Sequence, residues 1–140
     1  MKQELYTNSK IQIRKSKIHG WGVFAKANIL NGEILEENPF LIIPIGTNEA
    51  SSIFIDYRFN YPRVNPILQV IPFGFSGLYN HSNNPNAQWE TDTENEIFIF
   101  KAIKNIDKDS EIFVYYGDEN YWNDGRSQTK IVDNTTILKI

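Results

Sequence analysis

Apolar residues along this chain recur at every second position in short runs, and no stretch keeps the period of a long helix. Ile11, Ile13 and Ile18 alternate with polar or basic neighbours, as a half-buried strand does, until Gly20-Trp21-Gly22 breaks the run. Val23-Phe24-Ala25 predicts a second strand. Asn31-Gly32 is a strong turn signal ahead of a third strand over residues 33–37, which Pro39 ends. Leu41-Ile42-Ile43 lies between Pro39 and Pro44 and predicts a buried strand or an edge segment. Residues 46–52 read as a loop or one helical turn, and the aromatic-rich residues 53–61 as a strand. A further apolar segment, 68–73, is broken by Pro72.

The second half continues in the same period. Residues 87–91 and 96–102 predict a hairpin across Asp92-Thr93-Glu94-Asn95. Ile97-Phe98-Ile99-Phe100 is apolar on both faces, so that strand belongs in the middle of the fold. Asp107-Lys108-Asp109-Ser110 is a turn, residues 111–115 a last short strand, and residues 116–122 an aromatic-rich exit. The expected fold is mainly β, a single domain over residues 1–122, followed by a polar linker and a C-terminal extension over residues 123–140.

Composition narrows the function. A chain of 140 residues that is 41% hydrophobic and 14% aromatic has enough apolar surface to fold rather than stay disordered. Cysteine is absent, which excludes a disulfide framework and a thiolate zinc site, so no metal is expected. A net charge of −3 argues against a general nucleic-acid binder. The start has no apolar signal core and no run approaches a membrane span, so the expectation is a cytoplasmic or nuclear protein. Acidic clusters at residues 90–96 and 118–119 favour a basic partner, such as a lysine-bearing peptide.

The densest candidate for chemistry is Leu78-Tyr79-Asn80-His81-Ser82-Asn83-Asn84-Pro85-Asn86-Ala87-Gln88-Trp89. Its short polar side chains bond nearby backbone, and the loop they shape is held between apolar runs. Gly20-Trp21-Gly22 lacks the third glycine of a dinucleotide fingerprint and fits close backbone approach to a ligand better. No serine sits in a nucleophile elbow, and Glu36-Glu37 would face opposite ways on a strand, so hydrolysis is disfavoured. Tyr115-Tyr116-Gly117, with Tyr121-Trp122 beyond, can line a narrow aromatic passage, where a cation gains roughly 0.5 to 2 kcal/mol.

Three stretches, His19-Gly20-Trp21-Gly22-Val23-Phe24-Ala25, then Tyr79-Asn80-His81-Ser82 with Pro85-Asn86, then Glu111-Ile112-Phe113-Val114-Tyr115-Tyr116-Gly117, resemble in order and spacing the signature motifs of SET-domain protein-lysine methyltransferases. The resemblance covers roughly residues 10–122, and small single-domain members from bacteria and large DNA viruses look most similar. It implies several small β-sheets with a C-terminal pseudoknot joining the Asn-His motif to the tyrosine motif. It also implies S-adenosylmethionine as cofactor and a lysine-bearing protein, such as a histone, as substrate.

Carried over by position, the resemblance places His19, Gly20 and Trp21 at the methionine part of the cofactor and Asn80 with His81 at its amino and adenine ends. Tyr116 matches the catalytic tyrosine, which also borders the cofactor. Family members close the pocket with residues after that tyrosine, often on a zinc-bound cysteine cluster; here Tyr121 and Trp122 are the candidates, Trp122 on the cofactor side. The pattern departs at Tyr115, where many members have Asp, and at Asn38, near the usual pocket tyrosine. Tyr57 and Trp89 are candidates for the substrate channel with Tyr115 and Tyr121, and Val114 falls where a Phe or Tyr often limits the number of methyl groups added. The alternative to an enzyme is a SET-like module that binds cofactor or a lysine-bearing peptide without turnover.

Overall fold

The computed structural model describes residues 2–44 and 57–116, which build three small β-sheets and one short 3-10 turn. In chain order the strands are β1 (Ile11–Lys15), β2 (Trp21–Ala25), β3 (Ile34–Asn38), β4 (Phe40–Ile42), β5 (Phe59–Tyr61), β6 (Leu68–Pro72), β7 (Asn80–His81), β8 (Ala87–Asp92), β9 (Ile97–Ala102) and β10 (Glu111–Val114). The sheets run β1-β2-β10-β7, β3-β9-β8 and β4-β6-β5. The 3-10 turn, Ser76–Leu78, precedes β7.

Gly22 corrects the sequence reading of the first turn. It lies inside β2, opposite Arg14, and the chain instead reverses over residues 16–20. Gly20, with φ of 46°, takes the left-handed conformation that a side chain would resist. Ser16 builds the turn: its hydroxyl oxygen accepts from the N–H groups of Ile18 and His19 at 2.9 and 3.2 Å, and its own N–H donates to the Gly20 carbonyl at 2.8 Å.

β9 is the middle strand of its sheet, as its two apolar faces require, with Phe98 and Phe100 fully buried. Phe98 and Phe59 meet edge to face at 5.5 Å and lock the second sheet onto the third. Leu41-Ile42-Ile43 resolves as the edge alternative: β4 borders its sheet, and Leu41 and Ile42 are more than half exposed. In the described part of the strand expected over residues 53–61, only β5 is strand and Tyr57 sits in a helical turn; residues 53–56, like residues 46–52, lie outside the described residues. In the expected hairpin Glu96 has φ of 55° and belongs to the turn, where Asp92 accepts from the N–H groups of Glu94 and Asn95.

β10 positions the site. It pairs antiparallel with β2 through Glu111 and Ile112, then parallel with β7 through Phe113 and Val114. The sheet thereby stitches the third motif between the first and the second. The chain beyond residue 116, including the rest of the expected knot and the extension over residues 123–140, lies outside the described residues.

Candidate active site

Asn80 ties the first two motifs together. Its side-chain Nδ2 donates to the His19 carbonyl at 3.1 Å and to Glu111 Oε2 at 2.7 Å, while the residue is almost completely buried. The other oxygen of Glu111 accepts from the Ser16 hydroxyl at 2.8 Å. One carboxylate on β10 therefore holds both the Ser16 turn and the Asn80 amide. Gly22 lets this happen, because a Cβ there would collide with Glu111 Oε2. Asn86 adds a second clasp: its Nδ2 donates to the Glu111 carbonyl at 3.0 Å and its Oδ1 accepts from the Phe113 N–H at 2.8 Å.

His81 ties the second motif to the third. The Tyr116 N–H donates to its Nδ1 at 2.8 Å, so that nitrogen carries no proton, and the ring is the neutral form with Nε2–H facing Asn83 Oδ1 at 3.0 Å. Burial holds His81 below the usual imidazole range, against a smaller opposite pull from Asn83. The rings of Tyr115 and Tyr116 each lie 5.2 Å from the His81 ring. The Tyr116 hydroxyl donates to the Tyr79 carbonyl at 2.6 Å. Its one proton is thus taken by the protein.

His19, Gly20, Asn80, His81, Tyr115 and Tyr116 accordingly meet at one end of the four-stranded sheet. Trp21 stands beside them, half exposed, with the Lys15 ammonium 5.3 Å from its ring centre. The remaining candidates sit differently. Val114 is buried in the core cluster, and its carbonyl accepts from the Ser82 N–H at 3.0 Å. Trp89 stacks on Phe98 at 5.6 Å under the Arg63 guanidinium. Tyr57 lies against the 3-10 turn, 3.2 Å from where a Cβ on Gly77 would stand. Asn38 is buried and donates to the Ser76 hydroxyl at 2.9 Å. Tyr121 and Trp122 lie outside the described residues.

Sequence reasoning gave no role to Ser16, Glu111, Asn86, Glu36 or Tyr79. A serine three residues ahead of His19 is a readable turn signal. The partners of the two glutamates are distant in sequence, 95 residues for the Ser16–Glu111 pair, and no local pattern announces them.

A family model for the SET domain matches residues 20–117. The chain is 25% identical over 122 residues to a Schizosaccharomyces pombe histone-lysine N-methyltransferase specific for H3 lysine-37, covering 85% of this chain and 81% of that protein. Among solved structures, a Plasmodium falciparum candidate histone methyltransferase superposes with a TM-score of 0.63 at 34% identity, covering 80% of this chain and 96% of that one. The Neurospora SET-domain histone lysine methyltransferase DIM-5 superposes with a TM-score of 0.59 over 78% of this chain and 52% of its own; at 24% identity it speaks to the fold alone. With its three motifs drawn together by β10 and a family match over most of its length, this chain belongs to the SET-domain family.

Proposed function

We propose that this protein is a protein-lysine N-methyltransferase that uses S-adenosylmethionine. The observation that carries the reading is the meeting of the Gly20 turn, Asn80, His81 and Tyr116 at one sheet end, with the Tyr116 hydroxyl already oriented. The donor set fits the cofactor. Both bonds made by Asn80 use Nδ2, and among the described residues no group donates to its Oδ1, which suits a cofactor ammonium. Gly20 keeps side chains away from the turn that His19 and Trp21 flank, and the neutral His81 ring between two tyrosines offers a flat surface for a base. When bound, S-adenosylmethionine supplies a methyl group on a positively charged sulfur, open to attack by a neutral amine.

The work left to the protein is alignment, exclusion of water and selection of the uncharged amine. Tyr116, whose proton points to the Tyr79 carbonyl, would align the amine or the methyl group through its phenol oxygen. His81, neutral at ordinary pH, adds no cation to a site that takes one. Tyr115, exposed on the same edge, is the described candidate for the passage wall, and residues 121 and 122 would close it. The relatives named as acting on histones favour a histone tail as substrate. The test is transfer of labelled methyl from S-adenosylmethionine to mixed core histones, beside calorimetry of cofactor binding. Label in a histone supports the enzyme; cofactor binding with no label in any basic protein favours a binding module.

A further inference from the structure

Tyr79 is wholly buried, stacked on Phe100 at 4.6 Å with the rings 8° from parallel. Its hydroxyl donates to Glu36 Oε2 at 2.7 Å, and the second oxygen of that carboxylate accepts from the Phe75 N–H at 3.1 Å. Glu36, on β3, is 1% exposed. One buried carboxylate thus grips both ends of the segment that carries the 3-10 turn. A third attachment comes from Asn38, also on β3, whose amide donates to the Ser76 hydroxyl, which in turn donates to the Phe73 carbonyl at 2.6 Å. The carbonyl at the end of this clamped segment is the one that receives the Tyr116 hydroxyl.

We propose that Glu36 is a positioning residue for Tyr116, acting through Tyr79, whose hydroxyl it holds and whose carbonyl fixes the direction of the Tyr116 hydroxyl. This rests on the methyltransferase reading of the site. The link is mechanical and not a proton relay, because an amide carbonyl between the two phenols passes no proton. Burial, and then the Glu36 charge, push the Tyr79 phenol well above its ordinary value, so it remains a donor. Desolvation raises the Glu36 carboxyl, while its bonds from Tyr79, Phe75 and Asn38 pull it down. Both of its oxygens act as acceptors.

The test uses Tyr79→Phe, which keeps the stacked ring, and Glu36→Gln, which keeps the shape. Each should lower kcat on a histone substrate by about tenfold or more, since small misplacements of an aligning group cost that much. Cofactor affinity by calorimetry should stay within about twofold, and the double variant should be no worse than the more damaging single one. A second readout does not depend on turnover: in protein labelled with 13C at the tyrosine ζ carbon, the Tyr116 signal, identified by its loss in Tyr116→Phe, should shift in both variants. A folded variant with unchanged Tyr116 signal and unchanged kcat overturns the proposal, as does a kcat that falls only in step with cofactor affinity. Should Tyr79→Phe fail to fold, Glu36→Gln decides. Absence of methylation by the wild type would strike the enzyme reading, and the carbon signal alone would then decide the Glu36 link.

Discussion

At the scale of single residues the site depends on groups that are held and not free to turn. Glu111 is held by Ser16 on one side and Asn80 on the other, so making room for a methyl group on Gly22 would break these bonds. Gly22→Ala should therefore displace the Glu111 carboxylate, release the Asn80 amide and weaken S-adenosylmethionine binding by about tenfold, the loss of one charge-assisted hydrogen bond. Calorimetry reads this directly, and unchanged affinity would refute the coupling. His81 gives a pH dependence. Its folded-state value is lowered, so the unfolded chain binds more protons below about 6.5 than the folded chain does, and stability is lost as pH falls through that window. Glu36, raised from its usual value, acts in the opposite direction just above about 4.5. The thermal midpoint of the wild type should rise as the pH is brought up toward about 6.5, and His81→Asn should flatten that rise.

Among elements, β10 decides whether there is a site at all. It is shared between β2 and β7, and Asn86 imitates a further strand by bonding both the Glu111 carbonyl and the Phe113 N–H. Asn86→Ala leaves two part-buried backbone groups without those partners and should destabilise the fold by about 1 to 3 kcal/mol in denaturant titration. A loss under about 0.5 kcal/mol would mean that β10 does not need the clasp. Legibility in the sequence tracks the range of the forces involved. β9 was legible because its two apolar faces are local, and the hairpin because Asp92 to Asn95 fold onto themselves. β7 is only two residues long and exists through parallel pairing with a strand more than thirty residues away, which no alternation predicts. Gly22 looked like a break because glycine weakens strands in general, whereas here a carboxylate needs its space. The motif residues Asn80, His81 and Tyr116 were found by resemblance; the glutamates that hold them became visible only in three dimensions.

For the whole molecule, the three small sheets share one core in which rings from the second and third meet, and the first sheet carries the motifs at one end. The motif-bearing ends of β2, β7 and β10 are brought together by side-chain bonds spanning 31 to 95 residues, so the site forms only when the fold is complete. On the proposed reading, this end of the sheet aligns a lysine amine against a methyl donor, with the Tyr116 oxygen as the aligning group. Mass spectrometry of core histones treated with S-adenosylmethionine and either wild type or Tyr116→Phe tests it most directly. Lysine residues gaining methyl increments of about 14 Da with the wild type, and about a hundredfold less with the variant although both bind cofactor, is the predicted result. Equal methylation by the two proteins would contradict it.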